Sequence, residues 1–489
     1  MTRLRPYYTL AFTLVLTSLL CAADKPTAAD KPAAPWSIDQ TLSISPQPAP
    51  TPALKYRLLP GEWELKEGNA VPIYLRLTHE QNDSSRKYFT DAPKQWNALP
   101  LDKIPLDEAR KFLHDHQYML RQLEVGARRR TAEWDYTLDE PNPIGLLLPD
   151  AQWMRNYAPM LILQARVALA EGDFSAAAHD LETGFAFSRH VAQGPTLIHS
   201  LIGFAIASEF AGTTAEFIQR PDAPNLYWAL TALPRPLIDL RTGLAFEYQT
   251  FEKQFPELGD LDRERTAEQW DSLLRHVRAE LRDMALMPAE GDKQKLPDWF
   301  PKDYAPEDPA AKSPDLSLAR QYVARTRGLS ADKVEAMPAA QVLLLSMMGT
   351  YQEDRDDWYS ASYLPYPQAR PAFDESMKRL HEATNSEGHI PARLLLPALN
   401  KVISRQNGLE RRLAALRVIE ALRIYSAAHA GQLPEKLSEV TEVPIPDDPG
   451  TGRPFEYHCN GDTATLISQI PGDPLPNYDQ RYQVTIRKK

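Results

Sequence analysis

The stretch Ala267-Glu268-Gln269-Trp270-Asp271-Ser272-Leu273-Leu274-Arg275-His276-Val277, inside Arg263 to Met287, decides the fold class. Ala267, Trp270, Leu274, Val277, Leu281 and Met284 recur at three- and four-residue intervals. An α-helix turns once in about 3.6 residues, so this spacing draws one apolar stripe along it. Pro105 through Tyr136 repeats the pattern with Ala109, Phe112, Leu113, Met119, Leu120 and Leu123, which predicts a second amphipathic helix. Such stripes must be covered, so the helical pattern from Lys55 onward calls for helices stacked side by side.

The 43 prolines fall mostly between periodic segments, for example Pro141, Pro143, Pro149, Pro195, Pro221, Pro224, Pro234 and Pro236. Proline lacks the backbone donor that a helix interior needs, so these positions read as stops. The expected body is a set of medium helices joined by short, stiff turns.

The ends differ from the body. Residues 1–23 carry basic Arg3 and Arg5, an apolar run from about Thr9 to Leu20, and Cys21-Ala22-Ala23 before Asp24, the pattern of a cleaved signal peptide. An uncleaved anchor is opposed by the shortness of the run, and lipidation at Cys21 by Leu20 standing where a small residue belongs. Residues 24–54, dense in Ala, Pro, Lys and Asp, read as an extended linker. Residues 55–287 form a helical-hairpin domain, 288–314 a Pro-rich loop whose Trp299 and Phe300 need cover, and 315–408 a helical continuation.

Residues 409–489 change character. A helix from about Leu409 to His429 leads into alternating runs at Phe455-Glu456-Tyr457, Thr463 to Ile467 and Tyr482 to Ile486, with Asn460-Gly461-Asp462 as a turn. The reading is a small α+β unit with a meander folded against one helix.

Composition narrows the function classes. A net charge of −10 argues against a nucleic-acid partner, which would require a basic face. Arg128-Arg129-Arg130 is flanked by Glu124 and Glu133 and reads as a solvated helix face. Cys21 and Cys459 are the two cysteines, so signal removal leaves one thiol and no intramolecular disulfide. No segment beyond the signal predicts a stable membrane span, and Val342 to Met348 is too short for one. The chain is expected to be exported, to the periplasm or beyond.

From Leu163 to Glu182, Ala165, Ala168, Gly172-Asp173-Phe174 and Ala177 resemble the loop and flanking helices of a tetratricopeptide repeat. The resemblance implies a helical hairpin in which Gly172 ends one helix, Phe174 plugs the turn, and the alanines let the helices approach. Thr196 to Phe217 stays helical without the motif, so the architecture carries over and peptide binding does not. The expected fold is therefore mainly α, a tetratricopeptide-like helical-hairpin array with a small C-terminal α+β module.

Ala414 to Ser468 resembles the globular part of type II secretion major pseudopilins, through Tyr425, the Gly-x-Leu-Pro-x-x-Leu run from Gly431 to Leu437, and Asp448-Pro449, Gly452 and Pro454; Pro446 departs from the tighter spacing. The N-terminal segment used for assembly in that family is missing, so filament formation is not implied. Taken whole, the chain resembles an exported protein family common in planctomycete bacteria, through Lys55 to Pro60 with Gly68-Asn69-Ala70, Asn225 to Leu230, and Leu233 to Arg241. That family has no assigned activity, so the resemblance implies location and not chemistry.

Short motifs fail the tests their chemistry sets. His381-Glu382-Ala383-Thr384-Asn385 starts like a zinc-protease helix but has Asn at the second ligand position. His114 and His116 are two apart and so point to different sides of a helix. Ser330-Ala331-Asp332-Lys333 lacks the companion elements of penicillin-recognising enzymes and reads as a helix N-cap. Glu353-Asp354-Arg355-Asp356-Asp357 lacks the spacing of a calcium loop and reads as a solvated face. Cys459 beside His458 reads as a buried small residue in a strand.

The sequence thus assigns no catalytic, cofactor-binding or metal-ligating residues. Its leading reading is a non-catalytic extracytoplasmic scaffold that binds another protein or an envelope component. The alternatives are a hydrolase-like enzyme with a scattered site in a helical cavity, where His179, His190, His199 and Glu209 supply polar groups, and a component of an envelope or secretion assembly.

Overall fold

A computed structural model describes residues 37–79, 83–136, 148–286, 296–301, 304–383, 386–470 and 479–487. The signal segment 1–23, residues 24–36 of the linker and part of the Pro-rich loop lie outside the described residues.

In chain order the elements begin with β1 (Ile38–Ile44), β2 (Lys66–Asn69), α1 (Val71–His79), α2 (Asp83–Asn97), α3 (Leu106–Asp115), α4 (Gln117–Ala127), β3 (Arg129–Thr131), α5 (Pro149–Met154), α6 (Ala158–Glu171), α7 (Phe174–Ala192), α8 (Leu197–Ile218) and α9 (Tyr227–Thr231). They continue with α10 (Arg241–Gln254), α11 (Ala267–Ala285), α12 (Leu316–Arg327), α13 (Ala331–Glu335), α14 (Ala339–Ala361), α15 (Tyr366–Glu382), α16 (Ile390–Ala428), β4 (Asp447–Asp448), β5 (Arg453–Pro454), β6 (Glu456–Asn460), β7 (Thr463–Ser468) and β8 (Gln480–Ile486). The protein is mainly α with a small C-terminal sheet region.

Two compact units result, one from residues 244–403 and a larger one from residues up to 135, 148–243 and 404 onward. These bounds differ from the chain-order divisions at 287, 315 and 409. Segments distant in sequence close the larger unit, and the continuous helix α16 runs through the expected boundary at 409.

In the larger unit, α6 and α7 form the hairpin expected from 163–182. Gly172 takes φ +80° at the end of α6, a conformation that costs glycine nothing. Asp173 then caps α7 by accepting from Ala176 N at 2.9 Å. Phe174 packs on Phe217 of α8, ring centroids 5.7 Å apart. Helices α7 and α8 approach closely because position 184 is glycine: a Cβ there would lie 2.1 Å from the Phe210 ring. Helix α8 is long and apolar enough to cross a bilayer, yet 72 % of its apolar window is buried within the fold.

The stripe of Pro105 to Tyr136 is divided between two helices. α3 ends at Asp115, and His116 leaves the helical path while its ring stacks on Phe112 at 4.2 Å. After α4 the chain turns extended as β3, parallel to β2.

The C-terminal meander forms with Gly461 in its turn, φ +59°, and β6, β7 and β8 pair antiparallel. One strand in this sheet comes from the stretch read as linker: β1 pairs in parallel with β8, from Ile38 opposite Gln480 to Ile44 opposite Ile486. The sheet order is β1-β8-β7-β6. Leu42, Ile44, Leu466, Tyr482 and Val484 are buried on its inner face.

Arg411 of α16 is fully buried and ties that helix to the sheet. Its Nε donates to Ser468 Oγ at 2.6 Å, and Asp448 and Asp479 stand at 3.5 and 3.6 Å. A buried charge persists only when matched in this way.

In the smaller unit, α11 buries Trp270, Leu274, Val277 and Leu281, as the stripe requires. Phe300 is covered as expected, and Arg393 lies 5.3 Å from the Trp299 ring.

Candidate functional site

A cleft of about 1060 Å³ lies within the larger unit between the start of β1, the end of α2, the α5–α6 corner and the outer face of α8. Strand β1 contributes Asp39 to Leu42, and α8 contributes Gly212, Ala215 and Glu216. Backbone groups along a strand alternate in direction. Ile44 O accepts from Arg487 N on the β8 side, whereas Ser43 N is directed to Gln219 Oε1 at 3.4 Å on the other side. By that alternation Asp39 and Thr41 present their backbone groups to the cleft, which holds the outer edge of the sheet.

The opposite wall is held by Arg166, 3 % exposed. It donates to Glu216 Oε2 at 2.7 Å and to the carbonyls of Trp96, Asn97 and Leu99 at 2.7 to 3.2 Å. Carbonyls at a helix end lack intrahelical partners, so a guanidinium there completes α2 and stiffens the wall. Asn97 Nδ2 donates to Pro159 O at 2.7 Å and joins α2 to α6.

Lys94, Arg155 and Glu209 line the cleft without a hydrogen bond or ion pair among their side chains. The Glu209 carboxyl is held above its ordinary value by the protein around it, and the charges of Arg155 and Lys94 pull it the other way. Beyond the Arg166–Glu216 and Arg481–Asp39 pairs, the cleft therefore offers Lys94, Arg155, Glu209 and a row of backbone donors and acceptors.

No protein family, curated protein or solved structure matches the chain.

The four polar residues considered for a scattered enzyme site fall in separate surroundings. Glu209 is in the cleft. His179 is half exposed and sits 3.2 Å from Glu124. His190 is buried against the Tyr74 hydroxyl, at 3.0 Å from Nδ1, and burial lowers its pKa to about 4. His199 is buried beside Thr196 Oγ1, at 2.9 Å, and is lowered to about 3 by the same cause. Both are neutral core histidines near neutral pH.

Among the described residues no group of three or more His, Cys, Asp or Glu is placed to hold a metal ion. His116 caps α3, and His381 Nδ1 lies 2.8 Å from Met377 O within α15. Ser330 stands at the N-cap position of α13, but its side chain makes no capping hydrogen bond.

Three readings of charged or polar residues are corrected. Arg128 follows α4 and is largely buried, donating to Glu182 at 3.0 Å, while Arg129 and Arg130 lie on β3; the triplet is not a solvated helix face. Asp354 and Arg355 are buried in the smaller unit: Arg355 pairs with Glu252 and lies 3.6 Å from the Tyr248 ring, and Arg379 bridges Asp354 and Asp357. Cys459 is only half-buried, because it sits on β6 at the sheet edge with Sγ 3.6 Å from Gly461 O.

Strand β1 lies in the stretch whose composition reads as linker. Its signal exists, since Ile38, Gln40, Leu42 and Ile44 alternate with polar residues, but the Pro- and Ala-rich surroundings outweigh seven residues.

Proposed function

We propose that this chain is a non-catalytic extracytoplasmic scaffold that holds an extended segment of another protein in the cleft beside β1. The observation that carries the reading is the outer edge of β1, which no described strand covers and which forms one wall of the 1060 Å³ cleft. An added strand satisfies such an edge through its own backbone, which gives affinity without a particular sequence. Selectivity then comes from Lys94 and Arg155, which suit an acidic side chain on the guest, with Glu209 disfavouring a second one.

Selection of displayed random peptides on the full chain tests this. The expected binders are extended acidic peptides that lose at least tenfold in affinity on Thr41→Pro, which removes an edge donor without touching the β8 ladder, and on Lys94→Glu. Failure to select any peptide, or peptides indifferent to both changes, would overturn it.

A further inference from the structure

A second cavity in the larger unit, about 500 Å³, lies between the segment Arg57 to Leu65, the α4–β3 junction, the end of α7 and the Ala229 to Pro234 segment. It shares no lining residue with the cleft beside β1. Four arginines line it, Arg57, Arg129, Arg130 and Arg189, in a chain whose net charge is −10.

The four are not equivalent. Arg57 donates to Glu64 at 3.0 Å and lies 4.4 Å from the Trp63 ring. Arg130 is matched by Glu62 and Glu67, each at 2.9 Å. Arg129 has a backbone acceptor, Glu67 O, at 2.8 Å, and no carboxylate partner among the described residues. The Arg189 side chain has neither a hydrogen bond nor an ion pair among the described residues, although it is half-buried beside His190. Desolvation lowers its pKa with no carboxylate acting against it. Neighbouring His190 is committed elsewhere, to the Tyr74 hydroxyl, and does not compete for it.

The rest of the lining is mixed: Glu62, already paired with Arg130, and Gln193 and His190 stand among apolar residues. Leu59, Pro60 and Leu65 face the cavity from one side, and Ala232, Leu233 and Pro234 from another. A cavity of several hundred Å³ that sets an apolar patch beside charged groups has the proportions of a small-molecule site. A guanidinium held in partial burial without an anion carries a desolvation cost that a bound oxyanion offsets through charge-assisted, planar hydrogen bonds.

We infer that this cavity binds a small amphipathic oxyanion, with the anionic head on Arg189 and Arg129 and the apolar body against Leu59, Leu65, Leu233 and Pro234. Phosphate and carboxylate heads share this chemistry.

Calorimetric titration of the full chain tests the inference, with hexyl phosphate and heptanoate as anionic probes and hexylammonium and inorganic phosphate as controls. At least one alkyl anion is expected to bind at sub-millimolar concentration and at least tenfold more tightly than either control. Arg189→Gln is expected to weaken it at least tenfold and Arg189→Lys to restore part of the loss, with unfolding midpoints that keep the variants comparable. Should Arg189→Gln perturb folding, Arg129→Gln serves as the second variant, with the same loss expected. Which head group binds more tightly identifies the class. Absence of binding by both alkyl anions, equal binding of hexylammonium, or affinity unchanged in the folded arginine variants would overturn the inference.

Discussion

Asn225 donates its side-chain amide to Glu420 at 2.6 Å, joining two fully buried residues 195 positions apart. The same carboxylate accepts from Leu226 N at 2.9 Å and from Arg423 at 3.0 Å, while Arg423 also donates to Ala223 O and Ser45 O. Burial pushes the Glu420 carboxyl up, and the Arg423 charge opposes it. Glu420→Ala strands a buried guanidinium and is expected to cost about 3–5 kcal/mol. Glu420→Gln, which keeps an acceptor, should cost less. Urea unfolding midpoints check the order, and an Ala variant as stable as the parent would contradict it.

Asp180 of α7 is buried with Gln164 Nε2 at 2.5 Å, and desolvation raises its pKa to about 7. The folded chain therefore holds a proton that the unfolded chain, with its ordinary value near 3.8, gives up. Stability from this group is complete below about pH 4 and is lost as pH rises toward about 7. Asp180→Asn keeps the Gln164 contact and removes the titration. The variant should match the parent at pH 4 and exceed it at pH 8 by a few kcal/mol, tenfold in proton affinity being about 1.4 kcal/mol. Thermal unfolding across that range reads the difference, and parallel curves would refute the assignment.

The histidines give a direct readout of the same electrostatics. His190 and His199, lowered to about 4 and about 3 by burial, should stay neutral from pH 5 to 8. His179, whose ring is hydrogen-bonded to the Glu124 carboxylate, should titrate above its ordinary value. Imidazole carbon shifts followed by NMR separate the three. A midpoint near 6.5 for either buried ring would contradict the packing described.

Two glycine substitutions distinguish backbone from packing. Gly172→Ala meets no atom within 4 Å, so its cost is the strain of φ +80°, about 1 kcal/mol. Gly184→Ala drives a methyl to 2.1 Å from Phe210, which is fully buried and cannot withdraw. That substitution should cost about 1–3 kcal/mol or more. Comparison of unfolding midpoints tests the ranking, and equal effects would mean that α7 and α8 are less tightly packed than described.

Much of the architecture is local and was therefore legible. The stripe of Trp270, Leu274, Val277 and Leu281, the turn at Gly172-Asp173 and the meander around Gly461 each express a relation among neighbours within a few turns or strands. Polar residues resisted the same reading because their roles depend on distant partners. Nothing near Asp354 in sequence reveals Arg379 beside it, and nothing near Arg411 reveals Asp448 and Asp479.

The amino-acid order by itself determined the mainly α class, the helical hairpin and the C-terminal strands, since period and turn chemistry act between near neighbours. Tertiary structure alone decided that Ile38–Ile44 joins β8 across 442 residues, that its outer edge lines a cleft, and that Arg189 and Arg129 share a cavity. Periodicity shows which face a segment must bury, but the partner that buries it is set only when the whole chain has closed.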